Sequence, residues 1–295
     1  MTNDVIPFRR VAIHGVGLIG GSLGMALKRC DARVNIRGIG RDAARLERAR
    51  QLGAIDEYRT DLNGVSDVDL VVLATPVEHI LETLETIGQH LSEGTLVTDV
   101  GSTKRTIVSK AEDCLPAAIE FIGGHPIAGR ERGGVENSVP DLFERAPYVL
   151  CTGSRKRSRS LEKLVQTVKA IGAEPAVISV EEHDRILAWS SHLPQILSTV
   201  LASLGLEQET RGYPLVRLSG TGFRDVLRLA GSPYSVWAGI LESNADNIEH
   251  ALGEFIQHLE RVRTGLKQES LSADFGRAVE FYGRLQDSKK PSNGE

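Results

Sequence analysis

A chain of 295 residues with 41% hydrophobic and 25% charged residues carries enough apolar side chain to bury a substantial core, in one large domain or two of ordinary size. Its formal net charge of −4 offers no basic footprint for nucleic acid, and no apolar run approaches the roughly 18–20 residues of a membrane span. Residues 1–8 hold no apolar signal-peptide core, and Cys30, Cys114 and Cys151 are spaced neither as a disulfide framework nor as metal ligands, so a cytoplasmic chain without metal is expected.

Taken in chain order, short β-branched runs alternate with helical periods. Strands are predicted at residues 10–13, 33–39, 70–74, 95–100, 121–123, 148–151 and 176–180, and helices at 18–29, 42–52, 77–91 and 158–171. That alternation predicts βαβ units and a mostly parallel sheet covered on both faces. The basic run Arg155-Lys156-Arg157-Ser158-Arg159 reads as a solvated loop. Beyond Val180 the strand signal vanishes, and 181–206, 214–230, 232–265 and 271–285 have helical spacing. The expected organisation is an α/β Rossmann-type doubly wound domain over 1–180, an all-helical domain over 181–286, and a disordered tail over 287–295. Apolar stripes such as Leu193, Ile196, Leu197, Val200, Leu201 and Leu204 exceed what one small helical domain buries by itself, which predicts a homodimer.

The first strand runs into Gly15-Val16-Gly17-Leu18-Ile19-Gly20, which opens the first helix. A GxGxxG in that context is a dinucleotide site. Gly15 makes the tight turn, Gly17 admits the pyrophosphate, Gly20 packs helix on strand, and the helix amides meet the phosphates. Leu18, Ile19, Thr75, Pro76 and Gly101 complete the expected cofactor contacts. At the end of the second strand, where an NAD enzyme places an acid for the ribose hydroxyl, stand Gly38-Ile39-Gly40-Arg41-Asp42. Arg41 suits a 2′-phosphate, so NADP is favoured; Asp42 keeps NAD possible, as the acid, if the strand ends later.

Two polar segments follow predicted strand ends, where open α/β sheets bind ligands: Asp99-Val100-Gly101-Ser102-Thr103-Lys104 and Gly123-Gly124-His125-Pro126. His125 is either a base working near its ordinary pKa or a residue that stabilises a loop. His192 reads equally well as a buried structural residue and as a substrate contact, while Trp237, in an amphipathic stretch with Ile240 and Leu241, reads more as core packing than as pocket lining. His14, His79, His90, His250 and His258 show no partner pattern and are taken as structural or surface residues.

These motifs, together with His183-Asp184, Ser191-His192-Leu193-Pro194 and Gly222-Phe223-Arg224-Asp225-Val226-Leu227-Arg228, resemble in order and spacing the prephenate/arogenate (cyclohexadienyl) dehydrogenase family over roughly residues 9–285. The resemblance implies an NAD(P)-dependent oxidative decarboxylation of a small ring substrate, and an intertwined homodimer formed by the helical half. It implies that His125 accepts a hydrogen bond or proton from the ring hydroxyl, that Ser102 hydrogen-bonds the same hydroxyl or orients His125, and that Arg228 binds a carboxylate. Asp225 would orient Arg228 or meet an amino group, and Glu131, His192 and Trp237 would line the pocket. Many members carry a histidine where this chain has Gln195. With Asp225 and Arg41, that departure tilts the reading toward arogenate and NADP. With no room for a regulatory domain after the last helix, any feedback by tyrosine is expected at the active site. Two rival readings are weaker. A 3-hydroxyacid dehydrogenase relies on a lysine of its helical domain, and no lysine stands between Lys169 and Lys267. A non-catalytic dinucleotide sensor would leave His125, Ser102 and Arg228 without work.

Overall fold

The computed structural model describes residues 6–130, 132–153, 159–266 and 271–287. Glu131, most of the basic run 155–159, Lys267 and the tail 288–295 lie outside the described residues. The chain forms two compact units, Met1–Asn247 and Ile248–Glu295.

In the first unit eight strands make one sheet in the order β3-β2-β1-β4-β5-β6-β7-β8. They are β1 (Arg10–His14), β2 (Asn35–Ile39), β3 (Glu57–Arg59), β4 (Leu70–Leu73), β5 (Leu96–Asp99), β6 (Glu120–Pro126), β7 (Pro147–Thr152) and β8 (Glu174–Ile178). All neighbours are parallel except β6 and β7, which pair antiparallel with His125 opposite Val149. The order reverses at β1, and this switch point opens a crevice at the strand carboxyl ends.

Residue alternation along the strands sorts side chains to two faces. Val11 and Ile13 face α1 (Leu18–Cys30) and α5 (Arg159–Ala170), packing with Leu23, Leu27, Leu164 and Val168. Ala12, Val71 and Leu73 face α3 (Val77–Ile87) and α4 (Arg105–Cys114), packing with Ile80, Leu84 and Ile107. Parallel strands covered on both faces become continuous apolar runs, which is why Leu70–Leu73 is wholly buried. α2 (Ala43–Gln51) is capped by Asp42, whose Oδ1 accepts the amides of Ala44 and Arg45 at 3.0 and 3.1 Å.

Past β8 the first unit is helical. Ser179 caps α6 (Val180–Leu187), accepting the Glu182 amide at 3.1 Å. A π-turn over Ala188–His192 then leads into α7 (Leu193–Thr210). The expected helix at 214–230 is instead two short pieces, α8 (Leu215–Leu218) and α9 (Thr221–Leu227), followed by a 3₁₀ turn at Arg228–Gly231. Ser219 and Gly220, both in extended backbone, break it. The expected helix at 232–265 breaks at Asn244 into α10 (Tyr234–Ser243) and α11 (Ala245–Gly265). α10 packs on α3, with Ile240 in the core of that face. The second unit comprises most of α11 together with α12 (Leu271–Asp287), which exposes Phe275, Val279 and Tyr282.

Two departures from the sequence reading matter for the site. The three-residue strand β3 is too short for its pattern to register. β6 runs three residues further than 121–123, so His125 stands within a strand rather than in the loop after it. Gly123 and Gly124 hide that extension, since glycine carries no strand signal.

Candidate active site

A cleft of about 900 Å³ opens at the switch point, lined by Gly15, Gly17, Arg41, Thr75 and Pro76 among others. Gly15 adopts φ +97°, and a Cβ there would stand 2.7 Å from the Ala74 carbonyl oxygen, so only glycine turns the chain here. A Cβ on Gly17 would meet nothing within 4 Å, leaving bare backbone at the start of α1. Among the described residues no side chain caps that helix, and no acid occupies its first turn, so its amides and dipole face the cleft. Two buried polar atoms in the cleft wall, Thr75 Oγ1 and His79 Nδ1, have no partner among the described residues. A bare amide cradle, hydrogen-bonding atoms without partners and a guanidinium at the rim fit a dinucleotide.

Of the other expected cofactor contacts, Leu18, Ile19 and Gly20 sit in the first turn of α1, with Gly20 buried against Ile13. Gly101 is buried, and its amide is committed to Asp99 Oδ2 at 2.8 Å. Asp42 serves as the cap of α2 and pairs with Arg45 at 3.2 Å, so Arg41 is the side chain left at the end of β2.

At the ends of β5 and β6 lies a buried polar network. His125 Nδ1 stands 2.8 Å from His183 Nε2, and His183 Nδ1 stands 2.7 Å from Asp184 Oδ1. The Asp184 carboxylate also accepts the amides of Lys104 and Arg105 at 2.7 and 2.9 Å. Burial alone would raise its pKa, but the His183 bond and these amides outweigh burial and hold it low. Asp184 is therefore an acceptor, which orders the protons along the chain of rings. His183 Nδ1–H donates to Asp184, His125 Nδ1–H donates to His183 Nε2, and the lone pair of His125 Nε2 is left over. Burial first, then His183, Lys104 and His192, push the His125 pKa well below 6.5 and keep the ring neutral.

Asp99 holds both flanks of this arrangement. Its Oδ2 accepts the Gly101 amide, beside Ser102, and its Oδ1 accepts the Gly124 amide, beside His125, at 3.0 Å. Lys104, fully buried, pairs with Asp99 and donates to the Gly124 carbonyl at 2.8 Å. A Cβ on Gly124 would sit 2.5 Å from the Asp99 carbonyl oxygen, so glycine is required for β5 and β6 to close here.

His192 is buried in the π-turn, a feature that often marks functional sites. Asn244 donates to its Nδ1 at 3.1 Å and to the Asp184 carbonyl at 2.8 Å. The His192 proton therefore sits on Nε2, which is buried and has no partner among the described residues. Burial pushes its pKa down to about 4 despite the opposing charge of Asp184. The Trp237 ring meets His192 edge-on at 5.9 Å, and its Nε1 donates to Ser232 at 2.9 Å.

Gln195 turns to the protein: its Nε2 donates to the Leu229 carbonyl at 3.0 Å and to Thr199 at 3.2 Å. Ser198 accepts the Ala230 amide at 3.0 Å, so two side chains of α7 dock the turn that begins at Arg228. Asp225 and Arg228 are exposed on this docked segment, outside the histidine cluster. The sequence reading gave no chemical role to Lys104, Asn244, His183 or Asp184. Their adjacency to His125 and His192 depends on strand and helix ends far apart in the chain.

This cleft and polar network define a Rossmann-type, dinucleotide-dependent oxidoreductase. Residues 23–177 match the prephenate dehydrogenase nucleotide-binding domain and residues 179–278 the prephenate dehydrogenase dimerization domain. The chain belongs to the prephenate dehydrogenase family. It is 37% identical to the prephenate dehydrogenase of Bacillus subtilis over 88% of this chain and 70% of that one. It is 30% identical to the cyclohexadienyl dehydrogenase of Zymomonas mobilis, over 88% and 89% of the two chains. Among solved structures, the A. aeolicus prephenate dehydrogenase in complex with hydroxyphenyl propionate and NAD+ superposes with TM-score 0.87 at 30% identity, covering 95% of this chain and 98% of that one. The Synechocystis arogenate dehydrogenase gives TM-score 0.78 at 28% identity, covering 95% of this chain and all of that one (100%). Among the described residues no helix is long and apolar enough to cross a membrane.

Proposed function

We propose that this chain catalyses the oxidative decarboxylation of arogenate, and of prephenate less well, with His125 Nε2 as the acceptor of the ring hydroxyl proton. The observation that carries the reading is the Asp184–His183–His125 chain, which leaves one unprotonated imidazole nitrogen at a strand carboxyl end. A nicotinamide dinucleotide, when bound, supplies the hydride acceptor. His125 draws the hydroxyl proton, so electron density builds on the oxygen as the C–H bond breaks. The ring carboxylate leaves as CO₂, and its bonding pair completes the aromatic ring. His183 passes the gathering positive charge toward Asp184, acting as a positioning residue. Ser102 orients the hydroxyl, and His192 Nε2–H offers a buried donor to a substrate oxygen. Arg228 pairs with a substrate carboxylate, whose planar geometry its guanidinium fork matches. Asp225 orients Arg228 or receives the arogenate amino group, and Trp237 lines the pocket.

The tilt toward arogenate rests on Gln195, which is uncharged and spends its amide hydrogens on Leu229 and Thr199. The tilt toward NADP rests on Arg41, with Asp42 engaged as a helix cap. Reduced-nicotinamide absorbance with arogenate or prephenate, and NAD or NADP, tests all four combinations. Turnover lost in His125→Asn supports the reading, and absence of turnover in every combination refutes it. A homodimer through the helical part accords with exposed Val200, Leu201 and Leu204 on α7. Leu204→Glu is expected to shift the sedimentation of the protein from dimer toward monomer.

A further inference from the structure

His14 and His79, read from sequence as structural or surface residues, both line the cleft. His14 is the last residue of β1 and shares the face of Ala12, toward α3. Its Nδ1 stands 3.4 Å from Thr83 Oγ1. That hydroxyl already donates its one hydrogen to the His79 carbonyl, at 2.6 Å. Thr83 can therefore only accept from His14, which places the His14 proton on Nδ1 and a lone pair on Nε2. Burial first, then His79 and Arg41, holds the His14 pKa below 6.5 and the ring neutral. Four residues from Thr83 on the same helix, the buried Nδ1 of His79 lacks a partner among the described residues.

The other parts of a dinucleotide are accounted for elsewhere. The amides at Gly15–Gly17 meet the pyrophosphate, and the end of β2, with Arg41, meets the ribose. The wall also carries His14, His79, Thr83 and Thr86, with Leu62 adding an apolar surface and Glu82 and Asp61 among the other lining residues. We propose that His14, held by Thr83 as a neutral acceptor, reads the exocyclic amine of the cofactor's adenine and makes this site selective for the base. His79 adds a second buried polar atom to the same edge. A purely apolar slot accepts any flat base; an oriented acceptor rejects one that presents an oxygen in place of the amine.

This inference rests on the cleft binding a nicotinamide dinucleotide, and the test separates the two. Calorimetric titration of the full chain, without substrate, compares NAD+ and NADP+ with their hypoxanthine counterparts, which carry a carbonyl oxygen in place of the adenine amine. The adenine forms are expected to bind at least about tenfold more tightly. In His14→Val and in Thr83→Val the preference is expected to collapse, mainly through weaker binding of the adenine form. Thr83→Val keeps the shape of the side chain and decides the matter should His14→Val fail to fold. Equal binding of both bases by the unaltered protein overturns the proposal, as does a preference that survives in Thr83→Val, which would move the acceptor elsewhere, such as to Glu82 on the rim. Failure of every dinucleotide to bind refutes the cofactor reading itself.

Discussion

Asp99 and His125 are joined through one peptide: Asp99 Oδ1 accepts the Gly124 amide at 3.0 Å, immediately before His125 in the chain. The other oxygen of Asp99 accepts the Gly101 amide, immediately before Ser102. One buried carboxylate, paired with the equally buried Lys104, thus sets the spacing of the two groups proposed to meet the substrate hydroxyl.

Removing one charge of this pair strands the other in the core. Lys104→Met is expected to lower the unfolding free energy by about 3–5 kcal/mol. Asp99→Asn combined with Lys104→Met is expected to cost less than the sum of the two single changes, as a denaturation double-mutant cycle would show.

His183 is expected to act through its acceptor nitrogen. His183→Leu should lower kcat by about 10²-fold or more, since His125 then loses the bond that fixes its proton. His183→Gln retains an acceptor and should recover part of that loss, with KM little changed in either variant. Equal kcat in the two variants would refute the tautomer argument.

The histidine pKa shifts give a sign for the pH dependence. His14, His125 and His192 all have folded pKa values below the 6.5 of a free imidazole, with His192 near 4. Below pH 6.5 the unfolded chain takes up protons that the folded chain refuses, so the unfolded state gains. Stability is expected to be full above 6.5 and to fall progressively as the pH drops toward 4, visible as a falling Tm. For the same reason the acid limb of kcat/KM is expected to lie below 6.5 rather than at it. An acid limb above 6.5 would show that a different group limits the rate.

Arg41 is expected to discriminate between the two cofactors. Arg41→Ser should weaken NADP binding by about 10–100-fold, the scale of a lost charged hydrogen bond, and leave NAD binding nearly unchanged. Equal effects on both cofactors in a titration would remove Arg41 from the 2′-phosphate site.

The doubly wound plan, the phosphate turn and the polar strand ends are legible along the chain because each is local. The strand-turn-helix around Gly15 is contiguous, and the period of the apolar residues changes at about residue 180. The family resemblance rested on the order of such local motifs. Where the structure departs from the expected elements, the cause is also local: Gly123 and Gly124 carry no strand signal, so β6 outruns its apolar pattern, and Ser219, Gly220 and Asn244 break helices whose apolar spacing runs on across the breaks. Which polar residues meet depends instead on how distant segments pack. His125 and His183 stand 58 positions apart in the chain, and His192 and Asn244 stand 52 apart. His14 and Thr83 are 69 apart. Hydrogen bonds of this kind assign the imidazole protons. They form only because β1, β5 and β6 end beside helices from distant parts of the chain, so a linear pattern leaves each histidine looking alone.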